Sequence, residues 1–88
     1  MGEKRLAAKT LTDSEEVLYN NSNGAIVKTI LLYNSNETGK EVTLNIDGVT
    51  FLFNLESKEN KLLNNPLVVN SLKAKGAGIN IHISAIQL

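Results

Sequence analysis

A chain of 88 residues in which nine basic and nine acidic side chains cancel has room for one domain with a modest core, and neither sign gathers into the block that nucleic acid or anionic lipid would need. The absence of cysteine excludes disulfides and thiolate-bound zinc as supports of the fold. No apolar run reaches signal-peptide or membrane-spanning length, so the chain is expected to fold in the cytoplasm, without membrane or nucleic-acid partners.

In chain order, Met1 to Arg5 read as a flexible N-terminus and residues 6–88 as a single domain. Apolar alternation predicts a first strand from Leu6 to Leu11 and a second from Glu16 to Tyr19. Between them, Thr12 to Glu15 fits the capping-box pattern. The following run meets Asn20-Asn21 within two turns, too soon for an independent helix, and predicts a turn or a single helical turn. The cluster Asn20 to Gly24 closes off the second strand, and a long third strand runs from Ala25 to Asn34. Asparagine occurs twelve times, mostly between apolar runs, where it tolerates left-handed backbone angles and bonds to its own turn. Two glycosylation sequons, at Asn20 and Asn36, are chance matches in a chain without a secretory signal.

The segment Lys40 to Leu55 carries the clearest local signal. Asp47-Gly48 at the centre of a tight turn opposes Ile46 with Val49, Leu44 with Phe51 and Val42 with Phe53, all apolar and all on one face. Asn45 with Thr50 and Thr43 with Leu52 occupy the other face. Both phenylalanines are thereby expected in the core, which removes the obvious aromatic platform for sugars or bases. A weak strand follows around Lys61 to Asn64, then strands Leu67 to Ala74 and Ile79 to Leu88, with Pro66 expected at a strand start or edge. About eight short strands without amphipathic helices predict an all-β, antiparallel β-sandwich of jelly-roll-like form.

Reactive chemistry is sparse. His82, the single histidine, shares the parity of Asn80 and Ser84 and belongs to a polar face. The acids Asp13, Glu15, Glu16, Glu56 and Glu59 fall in loops and strand ends, where solubility accounts for them. Lys75-Gly76-Ala77-Gly78 lacks the spacing and the helix of a phosphate-cradling loop and reads as a hairpin connection. No catalytic residue, metal site or cofactor is therefore expected.

The strand Ala25 to Asn34 is apolar on both faces. Ile26, Ile30 and Leu32 are assigned to the core, because burying the Thr29 and Tyr33 hydroxyls without partners would be costly. Val27, Leu31 and Tyr33 then face outward as a candidate interface. Ile86 and Leu88 join it through a parity shift attributed to a bulge near Ala85. Such a face is covered either by the domain's own loops or by another subunit, and so short a chain favours another subunit, which predicts a homo-oligomer.

The order Leu6 to Thr12 (LAAKTLT), Val17 to Tyr19 (VLY), Ala25 to Asn34 (AIVKTILLYN) and Glu41 to Gly48 (EVTLNIDG) resembles small β-sandwich proteins and modules of tailed bacteriophage virions. The similarity continues through Leu67 to Val69 and Gly78 to Ser84. It implies a non-enzymatic structural component of a capsid, neck, tail or fibre. Such a component would sit in the virion, assembled in the host cytoplasm with other virion proteins, and the family brings no catalytic residues. The competing expectation is a carbohydrate-binding or receptor-binding module presenting Tyr19 or Tyr33 to a glycan. A small hydrolase would require clustered acids in a cleft.

Overall fold

One strand does the work of two in the computed structural model, which describes residues 4–64 and 66–88. The strands are β1 (Lys4–Thr10), β2 (Glu16–Asn34), β3 (Lys40–Ile46), β4 (Val49–Leu55), β5 (Asn60–Leu63), β6 (Leu67–Lys75) and β7 (Ile79–Gln87). All pairings are antiparallel, in the order β1-β7-β2-β6-β3-β4, with β5 also on β2. The N-terminal part of β2 pairs with β6, and its C-terminal part lies between β7 and β5. The sheet therefore folds over along β2 into a sandwich. One layer is β1-β7-β2-β5, the other β2-β6-β3-β4, and the core of Ile30, Leu32, Val42, Leu44, Leu72, Ile81 and Ile83 lies between them.

The Asn20 to Gly24 cluster does not separate two strands as its composition suggests; it lies within β2. Asn20 pairs with Ser71 and Ala25 with Val69, so Asn21 to Gly24 bulge out opposite Asn70. The Asn70 side-chain amide donates to the carbonyls of Asn21 (3.2 Å) and Ser22 (3.1 Å). The Asn23 N–H donates to Asn21 Oδ1 (2.8 Å). Gly24 takes φ +82°, and a Cβ there would meet the Val69 carbonyl at 3.1 Å. Asparagine supplies the bulge's own hydrogen bonds, which lets the strand continue through a segment that reads as a turn.

A second irregularity reverses part of the predicted facing. Val27 pairs with Ala85 and Thr29 with Ser84, leaving Lys28 as the extra residue. Before it Ala25 and Val27 point inward; after it Ile30, Leu32 and Asn34 do. Val27 is thus fully buried, not part of an outward row, and Ile26 is only half-buried. The bulge expected near Ala85 lies on the partner strand, at Lys28: Ile79, Ile81, Ile83 and Ala85 all stay in the core. A lysine is the natural residue to displace, since its ammonium reaches water while the apolar residues on both sides keep their burial.

Several expectations at the ends need adjustment. Lys4 and Arg5 already pair with Ala85 and Ser84, and Met1 to Glu3, the rest of the expected loose terminus, lie outside the described residues. Thr12 accepts the Ser14 N–H on its hydroxyl (3.2 Å), making a tight polar turn where the capping-box pattern lay. Pro66 stands immediately before β6, as its missing donor requires.

The far end of β2 is fixed by a buried amide. Asn34 is fully enclosed, and its Nδ2 lies within hydrogen-bond distance of the carbonyls of Thr38 (3.0 Å), Leu55 (3.1 Å) and Glu56 (3.1 Å). Its Oδ1 accepts from the Asn36 N–H (2.9 Å) and the Asn36 side-chain amide (2.8 Å), which also reaches the Ala77 carbonyl (2.9 Å). Asn34 thereby ties the β2–β3 and β4–β5 connections together, and Asn36, held by it, carries the link on to the β6–β7 connection. Replacing Asn34 with Ala leaves buried carbonyls and the Asn36 amide without their partner. Asn34→Ala should lower unfolding free energy by about 2 to 3 kcal/mol in urea titrations; an unchanged midpoint would contradict this role.

Candidate functional site

The hairpin register is the one read from its turn: Ile46 opposes Val49, Leu44 opposes Phe51 and Val42 opposes Phe53. Asp47 (φ 53°) and Gly48 (φ 88°) both take left-handed angles, the geometry of a two-residue hairpin turn. Facing the inner side does not amount to burial, however. Val42 and Leu44 are buried on β3, which lies between β6 and β4, whereas β4 is the last strand of its layer, and Phe51 remains 47% exposed. The expectation that both phenylalanines lie in the core is corrected on this point: Phe53 is half-buried and Phe51 is not.

The cause is a gap between layers. β2 closes one side of the sandwich, while β4 and β5, the facing edges of the two layers, do not pair. The space between them is an apolar cleft of about 560 Å³ lined by Ile30, Leu44, Ile46, Asp47, Val49, Phe51, Phe53, Leu63 and Leu67. Toward the β4–β5 turn Leu55 is buried, and Lys61 Nζ lies 6.0 Å from the centroid of the Phe53 ring. That ammonium covers the ring's face and stays within reach of water.

Asp47, the single ionisable group among the described residues that line the cleft, is engaged in structure. Its Oδ1 accepts the backbone N–H groups of Asn70 (2.8 Å) and Ser71 (2.9 Å), and its own N–H donates to the Ser71 carbonyl (2.9 Å). These bonds hold its carboxyl below the ordinary value, the Ser71 N–H contributing most and the Asn70 N–H next. They also dock the turn on β6. A carboxylate so occupied is not poised to move protons, and the rest of the lining is hydrocarbon.

Of the predicted interface residues, the structure brings Leu31 and Tyr33 together and leaves the others apart. Both lie on the outer face of the β1-β7-β2-β5 layer, beside a shallow depression of about 260 Å³ shared with Lys9, Thr10, Asn80, Ile81 and His82. Leu31 is exposed and Tyr33 half-buried. Ile86 and Leu88 lie at the opposite end of the β2–β7 pairing, where the Leu88 N–H donates to the Gly24 carbonyl (3.0 Å). Val27 is in the core. Tyr19 is also withdrawn from any platform: it packs against the core and its hydroxyl accepts from Gln87 Nε2 (2.7 Å). His82 is exposed between Ala8 and Leu31, on the polar parity expected for it. Among the described residues, no group of three or more His, Cys, Asp or Glu side chains could hold a metal ion.

The residues missed from sequence are Val49, Phe51 and Leu52, which are 56%, 47% and 55% exposed. Their signal was a strand, VTFLFNL, without a charge, apolar along one face and carrying Leu52 between Thr50 and Asn54 on the other. Its position at the sheet edge was not legible locally.

No family model matches the chain, and no curated protein matches it. In structure it is similar to an exo-β-1,3-galactanase from Phanerochaete chrysosporium, solved with galactose, at a TM-score of 0.51 and 16% identity. The similarity covers 96% of this chain and 26% of that one, so this chain spans about a quarter of the galactanase. At that identity the likeness is one of fold alone, and the fold is an antiparallel β-sandwich.

The state of Asp47 gives a pH dependence. Because its folded carboxyl lies below the ordinary value of 3.8, the ionised form contributes stability above that pH, and the contribution is lost as pH falls through the folded value. Glu16, held low mainly by the hydrogen bond from Lys9, acts in the same direction. Thermal melts between about pH 5 and pH 2 should show wild-type stability falling with acid, and Asp47→Asn falling less steeply. Equal slopes would contradict the docking role of the carboxylate.

Proposed function

We propose that this chain is a non-enzymatic structural module, a component of a tailed-phage particle that works by docking to copies of itself or to other virion proteins. The observation that carries the reading is the uncharged β4 edge together with the apolar cleft beside it. Val49, Phe51 and Leu52 are about half exposed there, and the cleft's one acid is already bonded to backbone. Apolar surface gathered at a sheet edge marks a place where protein is covered by protein. The virion assignment adds the resemblance of the strand and turn segments from Leu6 to Ser84 to phage β-sandwich modules. With it comes the location: the virion, assembled in the host cytoplasm.

A second reading, a carbohydrate-binding module, is favoured by the depression where Tyr33 lies near Asn80, Thr10, Lys9 and His82. A ring edged by amide, hydroxyl and ammonium groups is the surface a sugar would use. The Thr10 hydroxyl and Asn80 Oδ1 already bond to each other at 2.7 Å, which reduces what they can offer.

The two readings separate in one pair of measurements. For the structural module, the chain co-sediments with assembled particles through a density gradient and shows no binding on a glycan array. Array binding to galactose-containing glycans that is lost in Tyr33→Ala, with no chain on particles, would overturn the structural reading in favour of the second.

A further inference from the structure

We propose that β4 is a self-pairing edge: two copies of this chain join their β4 strands antiparallel across a two-fold axis at Leu52, making one continuous sheet from the β2-β6-β3-β4 layers. The proposal rests on the assembly reading above and names the partner as a second copy.

Hydrogen-bond geometry selects the axis. The two-residue turn makes Ile46 and Val49 the closing bonded pair, so Val49, Phe51 and Phe53 direct their backbone groups toward β3. The N–H and C=O groups of Thr50, Leu52 and Asn54 point the other way, and among the described residues no strand lies on that side. An antiparallel two-fold axis can pass through a non-bonded or a bonded pair; at Phe51 or Phe53 it would set Leu52 against Thr50 or Asn54, apolar against polar, which leaves the bonded pairs. Centring on Thr50 runs the partner's Gly48 turn into the ladder, and centring on Asn54 sets Leu52 against Glu56. Centring on Leu52 uses the whole strand: Thr50 meets the partner's Asn54, Phe51 meets the partner's Phe53, and Leu52 meets its own copy. Polar residues then face polar residues and apolar face apolar, as stable cross-strand pairs require.

Charge singles out the same edge. The β1 edge carries Lys4, Arg5 and Lys9, and β5 carries Lys61 on its cleft side. Such residues discourage strand addition. β4 has none, so two copies meet without like-charge repulsion. The pairing would cover Val49, Phe51 and Leu52 and place the partner's aromatic side chains over the cleft mouth.

The test uses the whole chain. Light scattering and sedimentation across micromolar concentrations should show a two-chain species, and Leu52→Lys should weaken its association at least about tenfold. Because Leu52 is exposed, the variant should melt as the dilute wild type does. Single chains throughout, or a two-chain species that survives Leu52→Lys, would overturn the proposal. The chain has no cysteine, so Leu52→Cys adds a direct probe of the axis. Bonded antiparallel pairs lie about 5.5 Å apart at Cα, within disulfide reach. Leu52→Cys should cross-link rapidly under mild oxidation and Leu62→Cys, an exposed site on β5, should not; equal rates would place the contact elsewhere. Chains without β4 pairing that still enter particles overturn this proposal and leave the assembly reading intact. β4-paired chains that never enter particles do the reverse.

Discussion

The structure depends on a single strand belonging to both layers of the sandwich. β2 hydrogen-bonds to β6 in one layer and to β7 and β5 in the other, so it serves as the fold's hinge line and its closed side. A strand of ordinary twist cannot turn that corner while keeping one face buried throughout. The two irregularities at Asn21 to Gly24 and at Lys28 allow it by resetting which residues point inward. Asn34 ends the strand in a buried set of hydrogen bonds that gathers three connections at one corner. With one side closed by covalent continuity and one end by this amide, the gap is left where β4 and β5 face each other without pairing.

The sequence was most legible where the signal is local. The Asp47-Gly48 turn specified the hairpin pairing from Lys40 to Leu55 residue by residue, because positive φ is required at both central positions and alternation agrees with it. Alternation likewise placed Ile79, Ile81 and Ile83 inside and His82 outside. What escaped was tertiary. The asparagine cluster at Asn20 to Gly24 has turn composition in either context, and only its bonds from Asn70 show that the strand continues through it. The apolar surplus around Val27 was real, but a bulge at Lys28 shifts the parity, and a bulge has no reliable one-residue signature. Phe51 faces the inner side as alternation indicates, yet lacks a neighbouring strand to cover it. Facing is a property of the strand, whereas burial is a property of the sheet order.

This distinction also governs the functional reading. In sequence the candidate interface falls on β2, whose residues are apolar on both faces. β2 is apolar on both faces along part of its length because its bulge exchanges them. The unsatisfied surface belongs to β4, a strand with no charge, an open backbone edge and a cleft behind it. Asp47 fits that picture as a structural group: its carboxylate secures the end of the hairpin on β6 and so holds β4 in place beside the opening.

The sandwich is closed along β2 and open along β4. Backbone amide exchange followed by NMR, at a dilution that keeps chains apart, tests this most directly. Leu31 and Leu32, flanked by strands on both sides, should be strongly protected, and Thr50, Leu52 and Asn54, whose amides face outward, should exchange rapidly. Protection of those three amides in isolated chains would show that β4 has a second partner within the molecule and would contradict an open β4 edge.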